Sequence, residues 1–127
     1  MHYMVNFHAA WLGILLGFVA GAVIGLFFHD DNWLGGYGSW RRRMLRLGHI
    51  SFFGLALINL IYALSISVFR VEIATPYPSY LFIAGAATMP LICFLAAYRK
   101  GFRHLFFIPV VCLVAGAILF IGKGLLP

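Results

Sequence analysis

Residues 4–28 read MVNFHAAWLGILLGFVAGAVIGLFF, a run without a single Asp, Glu, Lys or Arg. A helix rising about 1.5 Å per residue needs about 20 apolar residues to cross some 30 Å of hydrocarbon, so this run is long enough to span a membrane. Gly13, Gly17, Gly21 and Gly25 recur inside it every four residues. On a helix that spacing stays on one face. In water each glycine would cost up to about 1 kcal/mol against Ala. In a bilayer unpaired backbone costs far more, and helix is nearly forced. The row then becomes a flat strip roughly 18 Å long. Another backbone, or a planar cofactor, can approach such a strip closely. Ala9 and His29 extend it in the same register. The expectation is a glycine-zipper first helix.

The rest of the chain agrees with a membrane setting. Its 127 residues are 64% hydrophobic and 9% charged, with mean hydropathy +1.01. A soluble domain would be roughly 25% charged. Three further apolar runs follow, at about 44–69, 79–98 and 104–125. Short connections make sequence neighbours antiparallel. The predicted fold is all-α, an antiparallel four-transmembrane-helix bundle forming a single domain over residues 1–127. The N-terminus has no basic region, and the first run is too long for a typical signal sequence, so it reads as an uncleaved span.

The charge of +6 is placed by topology rather than by nucleic acid. Arg41, Arg42, Arg43 and Arg46 follow the first run, and Arg99, Lys100 and Arg103 lie between the third and fourth. That is seven of the nine basic residues on one side; only Arg70 and Lys123 fall on the other. The positive-inside rule makes the basic side cytoplasmic and both termini external, in a cytoplasmic (inner) membrane. Trp33, Trp40 and Tyr98 suit the inner interface, Tyr77 and Tyr80 the outer one.

In the second run His49, Phe52, Ala56, Asn59, Ala63 and Ile66 recur at spacings of three and four, the mark of a packing seam. Asn59 falls near mid-membrane, where an amide normally bonds across helices. Pro90 and Pro109 are expected to kink the third and fourth helices.

Candidate chemistry is sparse. His8 and His49 are separated by roughly 25 Å along the membrane normal, too far to share one haem. His29, His49 and His104 all fall near the inner interface. They suggest two ligand sets: a b-type haem held by His49 and His104, or a metal ion held by His29, His49, His104 and Asp30 or Asp31. The bland alternative is interfacial histidines bonded to carbonyls, carboxylates or headgroups. Met89, Cys93 and Cys112 offer soft sulfur of the kind that binds Cu(I), yet Met and free Cys are ordinary core residues. No C-x-x-C, C-x-x-C-H or H-E-x-x-H occurs, and Gly35-Gly36-x-Gly38 lacks the phosphate-binding patterns. Asp30 and Asp31 ahead of Arg41–Arg43 could recognise an anionic headgroup or simply satisfy those arginines. His8-x-x-Trp11-Leu12-Gly13 resembles the opening of some small four-helix membrane proteins that handle copper or haem; six residues transfer no function.

The functional expectation is a non-catalytic packing or accessory subunit of a larger membrane assembly, redox or respiratory in kind. Its partners would be the lipid bilayer and other membrane subunits, or a second copy through helix 1. The alternative is a haem- or metal-binding electron-transfer protein. A third class, a transporter or channel, is opposed by the lack of ionisable residues deep in the spans.

Overall fold

A computed structural model describes residues His2 to Leu126. Among them are α1 (His2–Gly25), α2 (Trp40–Ser67), α3 (Tyr77–Tyr98) and α4 (Phe107–Phe120). A 3-10 turn, Lys100–Phe106, leads into α4, and a π-turn, Ile121–Leu125, ends it. The first three helices, and the fourth with its two flanking turns, are each long and apolar enough to cross a membrane. The chain is all-α, its helices packed antiparallel, and four candidate spans make it a small multi-pass membrane protein.

Helix ends differ from the expected ones for local reasons. α2 starts at Trp40 rather than 44 because Ser39 caps it, its Oγ accepting the Arg42 N–H at 3.2 Å. The arginines therefore belong to the first two turns of the helix. α1 ends at Gly25 rather than 28. Residues 26–29 tighten into turns, with Phe27 N–H donating to the Ile24 carbonyl at 3.1 Å. α4 begins at Phe107 rather than 104, which leaves Pro109 in its first turn. There the missing N–H has no partner within α4 to lose. α3 runs on helically through Pro90.

The helices form an open row rather than a closed square. α1 packs on α2, α2 on α3, and α3 on α4, while α1 and α3 also approach. The backbone of α4 approaches neither α1 nor α2. Its link to α2 is by side chains: the Tyr62 ring meets Phe82 and Phe120, both at 5.4 Å between centroids.

Each interface in the row sets glycine against a larger side chain. A Cβ on Gly13 would lie 3.1 Å from that of Ala56, and one on Gly17 would lie 2.7 Å from the Phe53 ring. One on Gly21 would meet His49 Nε2 at 2.5 Å, whereas one on Gly25 would meet nothing. Gly48 likewise receives Phe94, Gly85 receives Leu113 and Gly116 receives Phe82. Where lipid is as apolar as any side chain, close van der Waals fit is the main force available to hold helices together. At the corner where α2 begins and α3 ends, Met44, Ala96 and Ala97 are buried under Trp40, Leu45, Phe102 and Phe106. Trp40 Nε1 donates to the Ala96 carbonyl there at 2.8 Å.

Candidate functional site

Two buried polar centres stand at opposite ends of the bundle. The first joins three helices. Asn6 Nδ2 donates to Asn59 Oδ1 at 2.7 Å and to the Ser79 carbonyl at 3.3 Å. Ser79 Oγ donates to Asn6 Oδ1. Asn59 Nδ2 donates to the carbonyls of Leu55 (2.9 Å) and Phe82 (3.3 Å). All three side chains are 0% exposed. Every amide group is thus partnered, as a polar cluster in hydrocarbon requires. Asn59 pairs with Asn6 in the second turn of α1 and with the Phe82 carbonyl in the second turn of α3. The knot therefore lies toward the end where those helices start. Asn6 and Ser79 were missed in the sequence. Asn6 carried a readable signal, a lone amide in an otherwise apolar run.

The second centre is Arg42, only 2% exposed. Its guanidinium lies 5.4 Å from the ring centres of both Phe28 and Trp33. Nη2 donates to the main-chain carbonyl of Asp30, while Nε has no partner. The carboxylate of Asp30 serves a different end, accepting the Asn32 N–H at 2.9 Å. Arg46 lies 4.1 Å from the ring centre of Tyr37 and donates to its carbonyl at 3.2 Å. Two arginines therefore fold the first loop over the start of α2, through its carbonyls and rings. The turn holds Leu34 at φ 55°, and Gly35 and Gly36 at φ 90°, a conformation glycine adopts without strain.

The histidines are spread out. His8 Nδ1 bonds the Met4 carbonyl at 2.7 Å, and His29 Nδ1 bonds the Leu26 carbonyl at 2.9 Å. His49 is half-buried, its ring edge-on to Phe53 and its Nε2 turned to the α1 backbone at Gly21. His104 is exposed on the 3-10 turn, whose backbone approaches α3 and α4 but neither α1 nor α2. His49 thus packs between α2 and α1, and His104 sits on a turn against α3 and α4. Among the described residues no three His, Cys, Asp or Glu gather into a group fit for a metal ion, so His29, His49, His104 and Asp30 do not converge. The reason is the open row: α1 and α4 lie on opposite flanks. Of the sulfurs, Cys93 is fully buried against Gly48, Met89 lines a hollow between α2 and Phe106, and Cys112 is half-buried on α4.

The open row leaves a cleft of about 400 Å³ between α1 and α3. Ala9, Leu12, Gly13 and Leu16 form one wall, and Ala86, Ala87, Pro90 and Leu91 the other; Phe52 and Ala56 of α2 also line it. The polar knot joins α1 to α3 close to where both helices start. No protein-family model, curated protein or solved structure matches this chain.

Proposed function

We propose that the chain is a non-catalytic packing subunit of a larger membrane assembly. Its α1–α3 cleft receives a transmembrane helix of another subunit. The supporting observation is the cleft itself. Its walls include Ala9, Ala86 and Ala87, small residues of the kind at which helix backbones approach in a bilayer. Gly13, Gly17 and Gly21 act as an internal zipper that fixes α1 on α2. That use removes them from self-association, so contact with a second copy would fall to the other face of α1. The seven basic residues at one end support an orientation with the first and third loops on the cytoplasmic side of an inner membrane.

The test is a photo-reactive side chain introduced at Leu12 or Leu91, one on each cleft wall, with Ile118 on the exposed side of α4 as reference. In native membranes the two cleft positions should cross-link to a membrane polypeptide and the reference should not. Adducts with lipid alone at all three positions would contradict the packing role.

A further inference from the structure

The 3-10 turn between α3 and α4 carries a feature that the packing role does not use. Arg99, Gly101, Phe102 and Leu105 line a shallow depression of about 350 Å³. Lys100 and Arg103 are exposed on the same turn. Of the seven cations at this end, Arg42 and Arg46 are engaged by the first loop. The three on the turn have no comparable engagement. The carboxylates that could neutralise them are elsewhere. Asp30 and Asp31 belong to the first loop, where the Asp30 carboxylate accepts the Asn32 N–H. Glu72 lies in the loop between α2 and α3, at the other end of the bundle. The depression therefore combines unneutralised positive charge with apolar walls. Phe102 anchors it on the buried Met44–Ala96–Ala97 corner. Tyr98 and Phe107, the adjoining ends of α3 and α4, are both largely exposed beside it. Aromatic rings at helix ends mark the level where headgroups meet hydrocarbon.

We infer that this depression binds the phosphate of an anionic phospholipid, whose acyl chains run down past Tyr98 and Phe107. Charge complementarity selects an anion, and the apolar floor with its aromatic flanks selects one with a hydrocarbon tail. Each cation near a membrane surface contributes about 1 kcal/mol toward an anionic lipid, so two of them give more than tenfold preference.

The test uses the full chain, purified in neutral detergent and offered equal amounts of phosphatidylglycerol and phosphatidylcholine with identical chains. Native mass spectrometry then reads the retained lipid. The wild type should prefer phosphatidylglycerol about tenfold or more. The double variant Arg99→Gln/Arg103→Gln should lose that preference. Gly101→Trp should lose it too, with every charge kept, because a Cβ at Gly101 meets nothing within 4 Å and the new ring fills the depression without disturbing the fold. Arg41→Gln/Arg43→Gln should retain it. Helicity by circular dichroism checks that each variant is folded. A wild type without preference overturns the site. So does equal loss in the Arg41/Arg43 variant, which would mean a diffuse field. Displacement of the lipid by excess inorganic phosphate would show a free-anion site instead.

Discussion

Along the flank of α1 that faces α2, Gly13, Gly17 and Gly21 each receive a larger neighbour: Ala56, Phe53 and His49. Along the flank that faces α3, Ala9, Leu12 and Leu16 look across a cleft of about 400 Å³. The same helix is thus closely fitted on one side and held on the other mainly by the knot of Asn6, Asn59 and Ser79. The contrast separates two ways of joining helices in lipid. Fit of small against large residues works along the whole length of a seam. A hydrogen-bonded cluster works at one level, fixing register and leaving the remainder free to accept another helix.

The largest effect should come from overfilling the fitted flank. Gly17→Leu forces the Phe53 ring aside, and overpacking of this kind costs about 1–3 kcal/mol. Unfolding in mixed micelles should show that loss, while Leu15→Ala on the lipid side should change little. Equal tolerance at both positions would mean that the seam does not carry α1.

The knot should respond next, and non-additively. Asn59→Leu leaves the Asn6 amide short of a buried partner, at a cost of about 1–3 kcal/mol. The double variant Asn6→Leu/Asn59→Leu removes both amides and should cost less than the two single changes summed. Strict additivity in the double-mutant cycle would show that the two amides do not interact.

Arg42→Gln should have a smaller effect, confined to the first loop. Loss of the stacking on Phe28 and Trp33 is worth about 0.5–1 kcal/mol at each ring. Protease cleavage within residues 29–39 should quicken while overall helicity holds. Gly25→Ala should be the mildest of all, since its Cβ meets nothing. It marks where the fitted seam stops.

The spans and their order were readable because a bilayer leaves apolar length little else to do but form helix. The strip on α1 was visible for the same reason, as a spacing. Its occupant was not, because Phe53 and His49 become neighbours of Gly17 and Gly21 only through the tertiary arrangement. Gly48, Gly85 and Gly116 play the same part singly and leave no periodic trace. The seam on α2 pointed to Asn59, but its partners on α1 and α3 did not follow from a pattern within α2 alone. Arg42 looked like its exposed neighbours Arg41 and Arg43. Only the fold of the first loop sets it apart. The gathering of His29, His49 and His104 presumed a closed bundle, and the open row keeps them separate.

The central claim is that α1 is closed against α2 and open toward α3. Paired cysteines in a chain lacking Cys93 and Cys112 test it directly. The Cβ of Ala56 lies 3.1 Å from the position of a Cβ on Gly13, near the separation a disulfide spans. Gly13→Cys/Ala56→Cys should therefore cross-link readily under mild oxidation in the isolated chain. Leu12→Cys/Leu91→Cys, on opposite walls of the cleft, should stay reduced. The reverse pattern, with the cleft pair bridged and the seam pair free, would contradict the account.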